Sequence, residues 1–158
     1  MVIEESGVEQ GNRLQLMAGI VDLSDSKIWG AAKLEWELDY IYWDHDATNC
    51  LCGHYPIKEV CVLLNKINGN TAIVGNVCVN RFVGIPSKKL FDGINKIRKR
   101  IDKAVNYETI GYAFNKGWLN SNSYSFYCNT LLKRKLSDKQ MQWRISINKT
   151  ILRNIDAK

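Results

Sequence analysis

The spacing of apolar residues changes character near residue 86. Upstream they alternate or run in short blocks. Downstream they return every three or four positions. In LEWELDYIYWD (34–44), Leu34, Trp36, Leu38, Tyr40 and Tyr42 occupy every second place, which predicts a strand; a helix over residues 27–36 competes for its start. PIKEVCVLLN (56–65) is rich in Val, Ile and Leu and predicts a second strand. The Asn-Gly pair in INGNT (67–71) signals a hairpin, with TAIVG (71–75) as its returning strand. NVCVNRF (76–82) then reads as a turn opening a short helix. Residues 1–25 show no clear period and are expected to be partly loose at their start.

From Pro86 onward the pattern is helical. Ser87 is placed to cap a helix over SKKLFDGINKIRKRIDKAV, in which Leu90, Ile94, Ile97, Ile101 and Ala104 form one apolar stripe. A second helix near 106–116 stops at Gly117, which suits the position just past a helix end. A third, from about Asn122 to Lys133, is expected to bury Tyr124, Tyr127, Cys128 and Leu131. Leu136-Ser137-x-x-Gln140-Met141 is a capping box with a hydrophobic staple, opening a last helix to about Asn154. The expected fold class is α+β: an N-terminal segment (1–25), a small β-rich module (26–85) and a basic region of four helices (86–158). A chain of 158 residues suits one domain, or one with an appended module.

Charge sharpens this division. Residues 1–80 carry five Lys or Arg against eleven Asp or Glu; residues 81–158 carry seventeen against five. Such segregation points to an anionic partner on the basic half, since a merely solubilising surface mixes its signs. The candidate contacts are Lys96, Arg98, Lys99, Arg100 and Lys103, on the polar side of the first basic helix, with Lys133, Arg134 and Lys135 in a connector. No apolar run reaches membrane-spanning length, and the acidic start MVIEESGVEQGNR does not resemble a secretory signal. The expected setting is therefore cytosolic and reducing, with no membrane partner.

In that setting, five cysteines are better read as ligands or core residues than as disulfides. Cys50-x-Cys52-Gly53-His54 brings three donors together within five residues, with a glycine at the tight turn. Cys78 follows on the far side of the hairpin, at the mouth of a helix. Knuckle, hairpin, then ligand at a helix start is the order of a treble-clef zinc finger, and Zn2+ takes four such donors tetrahedrally. Cys50, Cys52, His54 and Cys78 are the expected set, with His45 or Cys61 as alternatives for His54. Cys61, in the run VCVLL, otherwise packs as a small hydrophobe, and Cys128 belongs to a helix core.

Together Cys50-x-Cys-Gly-His, Asn68-Gly, Val74-Gly-Asn-x-Cys78-Val, Phe82 and the tail around Leu136-Ser-x-Lys-Gln resemble small zinc-binding proteins encoded by phages and mobile elements. The likeness spans about residues 30–152. It implies a zinc-binding module associated with nucleic-acid transactions, in the cytosol of a host cell. The expected function is then non-enzymatic, with the basic half contacting the phosphate backbone of DNA or RNA. The alternative is an inhibitor or adaptor that docks on a host enzyme through the acidic half. An HNH-type nuclease is a third possibility that the histidines serve poorly: His45 and His54 both precede the hairpin, and no histidine follows Cys78. With no Gly-rich phosphate loop and no G-x-S-x-G, no small-molecule substrate is inferred.

Overall fold

In the computed structural model, residues 6–157 are described, and the chain divides into two compact units, one up to Ser87 and one from Lys88 to Ala157. The architecture is α+β, with a single three-stranded antiparallel sheet among the described residues. No helix among them is long and apolar enough to cross a membrane.

The first unit begins with a helix where the sequence pattern suggests none. α1 spans Gly7–Leu23 and buries Leu16 and Ile20. The expected loose start falls on residues 1–5, outside the described residues. What opens α1 is a capping box: the Glu9 N–H donates to Ser6 Oγ and the Ser6 N–H to the Glu9 carboxylate. A short helix α2 (Trp29–Ala32) and one 3-10 turn (Lys33–Glu35) follow, so the competing helix reading holds up to residue 35 and the strand reading from Trp36. Glu35 is buried at this junction. Its carboxylate accepts from the N–H groups of Asp25 (2.8 Å) and Ser26 (2.9 Å) and from Asn65 Nδ2 (2.9 Å). One side chain thus ties the α1–α2 connection to the end of the hairpin.

Strands β1 (Trp36–Thr48), β2 (Ile57–Asn65) and β3 (Thr71–Gly75) pair in the order β1-β2-β3. Central β2 buries Val60, Cys61, Val62 and Leu63 in succession, because both its faces are covered. On β1 the period-two alternation fails at one point. Leu38 pairs with Leu63 but Tyr40 pairs with the adjacent Val62, so Asp39 is an extra residue that reverses the faces beyond it. Tyr40 is consequently exposed while Ile41 and Tyr42 are both buried. The hairpin turn lies at Asn68-Gly69, as its sequence predicts, with Asn65 Oδ1 accepting from the N–H groups of Ile67 and Asn68.

The second unit contains α4 (Lys88–Lys99), α5 (Tyr107–Asn115), α6 (Ser121–Thr130) and α7 (Asp138–Asp156). α4 buries Leu90, Phe91, Ile94 and Ile97, but stops five residues before Ala104. The cause is Asn148 of α7, fully buried, whose amide donates to the carbonyls of both Ile101 and Lys103 at 2.7 Å. Its Oδ1 accepts from Tyr127 Oη on α6 (2.7 Å), and that hydroxyl accepts from the Val105 N–H (2.9 Å). Three segments meet on one amide, and the connector carbonyls are satisfied without helix. At the end of α5, Gly117 adopts φ 76° and the N–H groups of Gly117 and Trp118 reach the carbonyls of Phe114 and Ala113, closing a Schellman motif. The capping box at Ser137 and Gln140 opens α7 as its sequence predicts. α6 buries Tyr127 and Thr130, whereas Tyr124, Cys128 and Leu131, expected in the core, are only half covered, and the helix ends at Thr130, short of the expected Lys133.

Two helical glycines test this packing in opposite directions. A Cβ at Gly93 meets the hydroxyl of Thr109, which is buried and hydrogen-bonded to the Leu90 carbonyl at 3.1 Å. Gly111 faces open space. In urea unfolding, Gly93→Ala is expected to lose about 1–3 kcal/mol, and Gly111→Ala to gain about 0.5–1 kcal/mol.

Candidate metal centre

The structure brings Cys50, Cys52 and Cys78 together, with their Sγ atoms all within 4.8 Å of one another. Cys50 and Cys52 are buried on the knuckle after β1; Cys78 is half-buried at the end of α3 (Asn76–Cys78), the short helix following β3. The knuckle is shaped by its own backbone. The Cys50 N–H donates to the His54 carbonyl (3.0 Å) and the Gly53 N–H to the Cys50 carbonyl (2.8 Å). Gly53 holds φ 91°, a left-handed value that other residues adopt at a cost. A Cβ there meets the Gln15 amide of α1 at 2.8 Å, so α1 lies directly on the knuckle.

Three amides point at the sulfurs. Cys50 Sγ accepts from the N–H of Gly75 (3.2 Å) and of Cys52 (3.5 Å), and Cys52 Sγ accepts from the His54 N–H (3.3 Å). The start of α3, the short helix that carries Cys78, is held by a polar network. Asn76, at the start of α3, donates to the Glu59 carboxylate and accepts from Ser87 Oγ, and Asn80 Nδ2 reaches both Asn76 Oδ1 (2.8 Å) and Ser87 Oγ (2.9 Å).

This arrangement divides the three thiols electrostatically. Hydrogen bonding from Cys78, with help from the Gly75 and Cys52 amides, overcomes burial and lowers Cys50 to about 5. Cys78 is pushed up by its bond to the Cys50 sulfur and by burial. Cys52 is raised by burial and by the charge on Cys50. Three sulfurs this close hold one negative charge readily and further ones only with a cation present. Zn–S bonds of about 2.3 Å place tetrahedral sulfurs roughly 3.8 Å apart, so a small contraction of the observed set accommodates a metal ion. Three converging sulfurs could hold such an ion.

His54, expected as the fourth ligand, is exposed, and its ring is not part of the sulfur set. It lines the mouth of an adjoining cavity of about 530 Å³ together with all three cysteines. His45 is exposed on β1. Cys61 is fully buried in β2 and burial pushes its thiol up to about 12, which suits a core residue and not a ligand. Neither joins the set. α1, whose Glu9 and Asn12 also line the cavity, has no apolar stripe to mark it in the sequence; the signal that does mark it is Ser6-x-x-Glu9.

The expected phosphate contacts lie in the second unit. Lys96, Lys99, Arg100 and Lys103 are exposed, as are Lys133, Arg134 and Lys135 in the α6–α7 connector. Arg98 is occupied: its guanidinium grips Asp156 of α7 through two bonds of 2.7 and 3.2 Å. Arg100 reaches Asp102 at 3.0 Å.

Serine substitution separates ligands from core. Cys50→Ser, Cys52→Ser and Cys78→Ser are each expected to lower metal content per chain and to destabilise the first unit. Cys61→Ser should retain the metal but cost about 1–3 kcal/mol, because a hydroxyl enters a fully buried site, and the half-exposed Cys128→Ser should cost about 0.5 kcal/mol or less. Elemental analysis and denaturant unfolding read the two effects independently.

Comparison with known proteins finds no family model that matches the chain, and no curated protein or solved structure that matches it.

Proposed function

We propose that the chain is a zinc-stabilised, non-enzymatic nucleic-acid-associated protein of phage or mobile-element type, whose helical unit contacts the phosphate backbone. The observation that carries this reading is the segregation of charge between the two units. Residues 88–157 hold fifteen Lys or Arg against five Asp or Glu, and seven of the eight expected contacts are exposed. Zinc is the favoured ion because converging thiolates select soft or borderline cations and the expected setting is reducing. Its role is to hold knuckle, hairpin and α3 together. The zinc-bearing unit is net acidic, so phosphate contact is assigned to the helices alone.

A second reading has its own support. Leu34 and Ile67 are exposed by 70% and 64% and border one shallow depression beside Glu35 and Lys66 in the acidic unit. An adaptor or inhibitor that docks on a host enzyme would use such apolar residues within an acidic surface.

Two measurements decide. Purified protein is expected to contain about one zinc per chain, and a metal-free preparation that is fully folded would remove the structural role. Affinity for unrelated DNA and RNA should fall steeply with salt, as counterion release demands. Replacing Lys133, Arg134 and Lys135 by Gln together should lower the duplex-DNA salt slope by roughly one unit for each phosphate that is no longer neutralised. Arg98 is left intact because its replacement breaks the pair with Asp156. An unchanged slope in the folded variant, or no binding at low salt, favours the adaptor.

A further inference from the structure

Three sulfurs fill three corners of a tetrahedron, and what occupies the fourth decides whether the centre is closed. We propose that the fourth coordination position opens into the adjoining cavity and takes a small thiol from outside the chain, a proposal that rests on the metal reading above. Among the described residues, no histidine, carboxylate or further cysteine joins the three sulfurs. The side on which the ion lies follows from the amides. The N–H groups of Gly75, Cys52 and His54 bond to the sulfurs, and their positive ends repel a cation from that direction. All three cysteines line the cavity, so the ion lies against its wall and the remaining corner points into it.

The cavity's chemistry narrows the ligand. At about 530 Å³ it has the volume of a small-molecule site. Trp43, Ile57, Val77 and Phe82 give it an apolar wall suited to a hydrocarbon body. Three thiolates on a divalent ion leave one net negative charge, and a fourth anionic donor makes two; Lys58 and Arg81 on the same lining, matched by Glu9 and Glu59, leave the wall itself near neutral. An ion already held by sulfur favours a further sulfur donor. On binding, the ligand's S–H bond gives way to a sulfur–metal bond and its proton passes to the solvent, with no change of oxidation state.

The test uses the full chain loaded with cobalt(II), whose d–d and thiolate charge-transfer bands report the donor set, titrated with β-mercaptoethanol. The charge-transfer absorption should rise saturably from three-sulfur towards four-sulfur intensity. His54→Ala should show the same starting spectrum and the same saturation. Val77→Trp, at an exposed position on the lining, should keep the starting spectrum and lose at least tenfold in apparent thiol affinity. A changed starting spectrum in His54→Ala overturns the proposal by making His54 the fourth donor. So does the absence of any thiol response, an unweakened response in Val77→Trp, or bleaching that shows the thiol removing the ion. Failure of cobalt to bind at all instead overturns the metal centre itself, which keeps the two failures distinct.

Discussion

Three cysteine sulfurs within 4.8 Å of one another cannot all ionise without a cation between them, and the first unit is organised around that constraint. The chain accommodates part of the conflict through its own backbone. Cys50 is the sulfur that carries charge, supported by two amides, and its neighbours stay protonated beside it. Each amide belongs to an element that has to be in place for the sulfur to receive it: the knuckle turn for Cys52 and His54, the end of β3 for Gly75. Hairpin register, knuckle geometry and thiolate chemistry are therefore one problem. A metal ion would let the other two thiols ionise beside Cys50, which is why it would act on folding and not only on the site.

The donors are legible in the sequence because ligand chemistry is written locally. Cys50-x-Cys52-Gly53 and Gly75-x-x-Cys78 state donor, turn and helix mouth within a few residues. The two hairpin strands and the capping box at Ser137 are readable for the same reason. α1 is not, because its apolar residues do not fall in a single stripe; Leu14 stays 56% exposed while Leu16 and Ile20 are covered. The bulge at Asp39 is also invisible, since alternation in a sequence cannot show that the ladder skips a residue. The early end of α4 is non-local as well. It depends on an asparagine forty-five residues away, and nothing in the run up to Ala104 announces that its carbonyls will be taken by Asn148.

That same asparagine fixes the scaffold on which the basic unit displays its cations. Asn148, Tyr127 and the Val105 amide form a buried, mutually satisfied network. Such a network fixes one arrangement of helices because a partly made one costs more than an apolar core. Arg98 is drawn into the scaffold by Asp156, where a half-buried bidentate pair fixes geometry more than it adds stability. The cations left on the surface are mainly lysines, together with Arg100, Arg134 and Arg153. Ammonium groups on flexible stems act as point charges and do not supply the planar fork that reads a base edge. A surface of this kind favours backbone contact over sequence recognition.

The two units differ in charge: the first holds more carboxylates than cations, the second more cations than carboxylates. Exposed charges interact over roughly 8 Å at physiological ionic strength before salt screens them. A trithiolate centre bearing a divalent ion would remain net negative, in a unit with more carboxylates than cations. Phosphate gains nothing by approaching it. Under the proposed coordination, a neutral molecule that ionises only on reaching the metal would escape that repulsion, because it crosses the acidic surface uncharged. At neutral pH an alkyl thiol is such a molecule, being largely protonated in water and a thiolate once bound. The same electrostatics that would disfavour polyanions at the first unit would therefore leave its cavity accessible to the small thiols proposed above.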